Sequence, residues 1–313
     1  MGEAIVVFGC GPVGRATVER LVAEGRNVTV AQRRRPNDLA AGVRFVGCDV
    51  LDGAQVAGAV AGASEIVVAI GFAYDGAVWR RSWPAAMANL LHACEAAGAR
   101  MVFLDNLYMY GPQDHPLTEA TPLTTIGAKP AVRADLTRQW MAAAGRVRVA
   151  ALRAPDFYGP GVGLSHLGDV GFGAIARGRR AVLISPPDMP HDFAYVPDIG
   201  RAVVTLLEAP DDAYGQAWHM PCAPTTTPRR ILETGARAIG ATARVSAVPL
   251  WALPALGLAV PSLRGMVEMR FQWDRPYRVD ASKFTARFWA DVTPFEVGAA
   301  QTAQAFRDGV GRG

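Results

Sequence analysis

The chain has 313 residues, half of them hydrophobic and 19% charged, with a formal net charge of +4. That composition belongs to a folded protein of one large domain, or a large domain with a smaller companion, and excludes disordered and fibrous classes. Its cations are scattered apart from Arg33-Arg34-Arg35 and Arg177-Gly178-Arg179-Arg180, so no basic stripe tracks a nucleic-acid backbone.

Ala4-Ile5-Val6-Val7-Phe8 is β-branched and apolar and predicts a strand. The turn Gly9-Cys10-Gly11-Pro12-Val13-Gly14 follows, then a helix over Arg15–Glu24 that Gly25 closes. Val28–Ala31 predicts the second strand and completes a βαβ unit of about thirty residues. The alternation continues with strands at Val43–Val46, Glu65–Ile70, Arg100–Leu104 and Val147–Leu152, separated by helices at Gln55–Ala61, Trp83–Ala97 and Ala131–Ala144. Strands that are apolar throughout, with helices between them, imply a parallel sheet covered on both faces: a doubly wound (Rossmann) α/β fold. After Arg153 glycines and prolines loosen the rhythm, which returns at Phe193–Val196, the helix Ile199–Glu208 and Ala217–Met220.

From about Thr225 no βα rhythm remains. The predicted domains are 1–155 with about 191–222 for dinucleotide binding, and about 156–190 with 223–313 as a smaller, interleaved substrate domain. The most apolar stretch, Val245–Leu263, is free of charge but broken by Pro249, Pro254, Gly257 and Pro261. It predicts a buried or substrate-facing segment rather than a spanning helix, with contact to a membrane surface as the alternative. Cys10, Cys48, Cys94 and Cys222 form no C-x-x-C pair, which favours reduced thiols over a zinc site or disulfide framework. No export signal is visible, and a cytoplasmic location is expected.

Within its βαβ context the glycine turn has a chemical reading. Gly9 permits the tight turn, Gly11 lets backbone N–H groups approach a pyrophosphate, and Gly14 lets helix and sheet pack closely. Pro12 and Val13 open the helix whose N-terminus favours negative charge. The competing reading is a tight turn and nothing more. At the end of the second strand, where an acid would hold both ribose hydroxyls of NAD(H), the chain reads Ala31-Gln32-Arg33-Arg34-Arg35. Guanidinium groups there suit the 2′-phosphate of NADP(H), unless the loop is simply solvated. Asp49 is placed either to contact the adenine ring or to cap its loop.

Four segments carry a wider likeness: the glycine turn, Val102–Gly111, Leu152–Gly161 and His191–Ile199. With them the chain resembles, nearly end to end, the extended short-chain dehydrogenase/reductase superfamily, in the group of NAD-dependent epimerases and dehydratases. The resemblance implies a doubly wound sheet, a nicotinamide cofactor, a C-terminal substrate domain and often a homodimer. It also implies a Ser or Thr, a Tyr acting as acid and base, and a Lys four residues later that tunes the Tyr and holds the nicotinamide ribose. Here Asn106 takes the Ser/Thr place and Thr125 stands where the Tyr belongs, while Lys129 is kept. A threonine hydroxyl is far too weak an acid to replace a phenol.

Tyr108, two residues past Asn106 on a loop at the carboxyl ends of the strands, is the proton donor the sequence offers instead, with a packed loop aromatic as the competing reading. Asp156, Phe157, Ser165 and His166 lie where the family's substrate loop begins, although a histidine among glycines is as readily a solvated side chain. His191 and Asp192 are expected to anchor the loop before Tyr195, and His219 to be structural. No histidine or carboxylate group has metal-ligand spacing, so hydride chemistry without a metal is preferred.

The expected function is therefore an NADPH-dependent reductase acting on a carbonyl or conjugated double bond of a small, largely apolar molecule, with Trp251 suited to such a substrate. An epimerase or dehydratase that recycles its cofactor is the alternative, as is a non-catalytic NADP(H) sensor. A nucleotide-sugar substrate would draw on Arg264, Arg270 and Arg275.

Overall fold

In the computed structural model, residues 4–259 and 265–309 are described. The apolar runs become strands β1 (Ala4–Phe8), β2 (Asn27–Gln32), β3 (Arg44–Gly47), β4 (Glu65–Val68), β5 (Arg100–Asp105), β6 (Val149–Arg153) and β7 (Gln216–His219). They form one sheet in the order β7-β6-β5-β4-β1-β2-β3. Helices α1 (Pro12–Ala23), α2 (Gly53–Val60), α3 (Gly76–Ala97), α4 (Ala128–Ala142) and α5 (Val196–Glu208) connect them. β1 pairs in parallel with β2 on one side and β4 on the other, so the strand order reverses at β1. A doubly wound sheet opens its ligand crevice at the carboxyl end of such a switch point.

Strand residues Phe8, Ile66, Val68, Met101 and Phe103 pack with Trp83, Leu90, Leu136 and Trp140 of α3 and α4. Each large side chain fully buried in this way contributes about 1.5–3 kcal/mol. α3 begins at Gly76 rather than at the expected Trp83. The Asp75 carboxylate accepts hydrogen bonds from the N–H groups of Ala77 and Val78, and this cap starts the helix ahead of Pro84, which it then accommodates.

The chain divides into two compact units. The first comprises Met1–Tyr110, Pro122–Arg153 and Ile199–Trp218, and the second Gly111–Thr121, Ala154–Asp198 and His219–Gly313. Residues 111–121, 154–155, 191–198 and 219–222, expected from the sequence in the dinucleotide domain, thus fall in the second unit. Backbone hydrogen bonds explain the placement: Leu117 N–H donates to Arg278 O, Asp280 N–H donates to Leu117 O, and Asp192 N–H donates to Tyr277 O. The core of this unit gathers Tyr158, Phe172, Phe193, Leu232 and Phe306.

The apolar stretch from Val245 is not a buried block. It divides into a strand at Val245–Ala247, a 3-10 turn at Leu250–Ala252 and a helix at Leu253–Ala259. Trp251 and Leu258 are 82% and 78% exposed. The prolines cut the run into pieces too short to bury a whole circumference. Pro261 and Arg264 lie outside the described residues. Among the described residues no helix is long and apolar enough to cross a membrane.

Candidate active site

A cavity of about 820 Å³ opens in the first unit where β1 to β4 end, lined by residues 8–11, 31–34, 48–51 and 69–73 together with Val78 and Ser82. Gly9 has φ +89°, and a Cβ there would stand 2.6 Å from Ala69 O. A Cβ on Gly14 would stand 2.1 Å from Gly9 O, so the first turn of α1 lies directly on the turn. Gly11 differs from both, since a Cβ on it would meet no protein atom within 4 Å and Gly11 lines the cavity. Its missing side chain leaves room for a ligand rather than for the protein. Gly11 also caps α1 without a side-chain bond, Pro12 opens the helix with Val13 next to it, and no acid stands in its first turn. The unpaired N–H groups and the helix dipole there favour an anion.

Gln32 joins the glycine turn to the basic loop. Its Oε1 accepts from Cys10 N–H at 2.8 Å, and its Nε2 donates to Arg34 O at 2.7 Å. Arg33 and Arg34 are exposed and line the cavity. Asp49 lines it too, while its Oδ1 accepts from Leu51 N–H.

The expected catalytic residues lie in the same unit. Asn106 Oδ1 accepts from Tyr108 N–H at 3.0 Å and starts the 3-10 segment Tyr108–Tyr110. The Tyr108 ring stacks on Trp79, with ring centres 6.2 Å apart. Lys129 is buried in the first turn of α4, and its Nζ stands 4.4 Å from the ring centre of Tyr74. Thr125 is exposed. One turn beyond Lys129, the buried Arg133 lies over the Trp83 and Trp79 rings at 3.9 and 4.9 Å. Its Nη1 is 3.1 Å from Asp105 Oδ1. Arg153 also faces this carboxylate, at 3.7 Å, and donates to Tyr110 Oη and Thr137 Oγ1. Burial, the largest influence, raises the Asp105 pKa, and the two guanidinium groups oppose it. The sequence reading missed Tyr74, Trp79, Asp105 and Arg133. The signals available were the Lys129/Arg133 spacing on one helix face, and the place of Tyr74 on the loop after a strand's carboxyl end.

The residues expected to meet substrate lie in the second unit. Asp156 Oδ2 is 3.3 Å from His191 Nε2 and accepts from Trp273 Nε1. Burial pushes Asp156 upward, but His191 foremost, with His166 and Trp273, brings its pKa below the ordinary value. His166 is not a solvated loop side chain: it hydrogen-bonds Ser185 Oγ and stacks on Trp273 at 5.5 Å. Phe157 forms a short strand with Tyr158 against Ala194–Tyr195, and Ser165 Oγ is buried with no hydrogen-bond partner among the described residues. His191 N–H donates to Thr226 O, and Asp192 Oδ2 accepts from Val279 N–H. His219 is buried, its N–H donating to Glu119 Oε1.

Burial pushes the His166 pKa down to about 4, whereas an unfolded histidine titrates near 6.5. Full stability is then present above pH 6.5 and is lost as pH falls toward 4, because the unfolded chain takes the proton first. A loss of about 2 kcal/mol between pH 6.5 and 5 is expected in urea melts, at 1.36 kcal/mol per pH unit. His166→Gln should lack that component, and an unchanged slope in this variant would refute the assignment.

The sequence pattern of the NAD dependent epimerase/dehydratase family matches residues 5–219. The chain belongs to the NAD dependent epimerase/dehydratase family. No curated protein matches its sequence. Among solved structures, it is similar to the Bordetella bronchiseptica enzyme WbmH in complex with NAD+, at 16% identity and TM-score 0.73, covering 98% of this chain and 99% of that one. A UDP-glucose 4-epimerase from Thermotoga maritima with UDP-glucose gives 16% identity and TM-score 0.76 over 98% and 99% of the two chains. A dTDP-glucose 4,6-dehydratase from Bacillus anthracis in complex with NAD gives 16% identity and TM-score 0.75 over 98% and 97%. At such identities the likeness is one of fold.

Proposed function

We propose that this chain is a redox-neutral epimerase or dehydratase that holds a nicotinamide dinucleotide, NADP(H) in preference to NAD(H), and acts on a hydroxylated substrate of the nucleotide-sugar class. Membership of the epimerase/dehydratase family carries the reading. The UDP-glucose and NAD+ named for similar structures support it. Net reduction, the first expectation from the sequence, has less behind it than the cofactor-recycling alternative.

The glycine cradle fits a pyrophosphate. Gly9, Gly11 and the N-terminus of α1, with Pro12, Val13 and Gly14 behind it, would hold the phosphates, Gln32 would brace the turn, and Asp49 would border the adenine. Arg33 and Arg34 would take the 2′-phosphate, whereas Lys129, expected to hold the nicotinamide ribose, is fully buried against Tyr74 and is not among the cavity's lining residues. When bound, the nicotinamide supplies a hydride acceptor that also returns the hydride. This chain's own side chains must take a hydroxyl proton and give one back, and the phenols grouped with Trp79 and Arg133 are Tyr108 and Tyr74. In the second unit Asp156, Phe157, Ser165 and His166 would meet the substrate, with the Asp156 carboxylate accepting from a hydroxyl.

Two measurements test this reading. Incubation with UDP- and dTDP-hexoses should convert sugar, read by mass and NMR, with no net change in reduced cofactor, whereas stoichiometric NADPH consumption would overturn it. The double variant Arg33→Ala/Arg34→Ala should weaken NADPH binding about 10- to 100-fold, since a charge-assisted bond contributes ~1.5–3 kcal/mol, and leave NADH binding unchanged. Equal losses for both cofactors would remove the argument for NADP(H).

A further inference from the structure

The family's tyrosine is replaced by an exposed Thr125, yet Lys129 remains and is fully buried. A lysine ammonium is strongly hydrated, so burying it needs compensating groups. The group over which the ammonium sits is the face of Tyr74, 4.4 Å from the ring centre. We propose that Tyr74 is the acid–base phenol of this site, served by Lys129 in place of the tyrosine that the chain lacks. The inference rests on the function proposed above.

Three observations carry it. Tyr74 directly follows residues 69–73, which line the cavity, and is itself 37% exposed, so its hydroxyl is on a segment that reaches the proposed cofactor. The loop is also pressed against the lysine's helix, because a Cβ on Gly76 would stand 2.9 Å from Ala128 Cβ in the first turn of α4. That close approach holds Tyr74 over Lys129.

The third observation is electrostatic. The Lys129 ammonium stands 4.4 Å from the ring centre, and an opposite charge within ~4–6 Å of a phenol favours its ionised form. Arg133, on the same face of α4, acts on the Tyr74 and Tyr108 hydroxyls as well. Lys129 and Arg133 from α4 and Trp79, edge-on at 5.7 Å, are among the groups that act on Tyr74, and Asp75 is next to it in the chain. Asp75 is held low chiefly by the Val78 N–H, with smaller contributions from Ala77 N–H, Lys129 and Arg80. Arg133 shares the Asp105 carboxylate with Arg153. In turnover Tyr74 would take the proton of the substrate hydroxyl as the adjoining carbon loses its hydride, and return it when the hydride comes back. Oxidation and reduction cancel, and no outside oxidant is needed.

The test is an ultraviolet titration of tyrosinate in the protein without added cofactor, comparing wild type, Tyr74→Phe and Tyr108→Phe. One phenol in the wild type should ionise about one pH unit or more below free tyrosine, a shift expected beside an opposite charge. That early step should vanish in Tyr74→Phe and persist in Tyr108→Phe. No early step in the wild type, or one that survives Tyr74→Phe, would overturn the assignment. The same three proteins are titrated with NADPH by fluorescence, and Tyr74→Phe should still bind. A wild type that binds neither NADPH nor NADH would overturn the proposed function while leaving the phenol result standing.

Discussion

Asp105→Ala is expected to destabilise the protein by about 3–5 kcal/mol, the largest effect of any single side chain near the site. The carboxylate is buried and stands 3.1 Å from Arg133 and 3.7 Å from Arg153, both buried as well. Removing it leaves two buried guanidinium groups without the carboxylate they share. It also frees the Asn106 N–H, which donates to Asp105 Oδ1 at the start of the loop that carries Tyr108. The same variant should therefore loosen the Tyr108 segment, seen as faster amide exchange over residues 106–110. Urea unfolding measures the main effect, and a cost below about 1 kcal/mol would place the pair among weak surface-type interactions.

The glycine turn should separate fold from binding. Gly14→Val forces a Cβ to within 2.1 Å of Gly9 O, which only a shift of α1 can relieve, and Gly9→Val adds a left-handed φ of +89° to a 2.6 Å clash. Each is expected to cost about 3 kcal/mol or more, from overpacking and backbone strain. Gly11→Val meets no protein atom within 4 Å and should unfold like the wild type. Its side chain would instead enter the cavity, with a loss of dinucleotide affinity of roughly 100-fold, or ~2.8 kcal/mol. If Gly11→Val bound NADPH normally by fluorescence titration, the pyrophosphate would have to be placed elsewhere.

Lys129 illustrates how far local pattern reaches. Its position four residues after Thr125 is plain in the sequence, and so is the absence of a tyrosine there. The loop after β5 then offered Tyr108, but the ring over which the Lys129 ammonium sits belongs to Tyr74, after β4. Both loops leave the sheet at the same edge, and periodicity cannot say which aromatic is pressed against α4. His166 is a similar case. Among glycines it reads as solvated, yet Ser185 and Trp273, both remote in sequence, enclose it. Trp251 goes the other way, apolar in sequence and 82% exposed in the fold.

What the sequence determined by itself is the alternation of apolar strands with helices, the glycine turn at the switch point, and the basic loop where an acid would select NAD(H). These are local properties: backbone conformations only glycine adopts easily, side-chain periodicities, and charges next to each other in the chain. Tertiary structure decided the rest. It placed residues 111–121 in the second unit, joined Asp105 to two arginines, and set Tyr74 over Lys129. Each of these depends on the close packing of segments far apart in the chain, where burial makes a single charge or ring contact decisive.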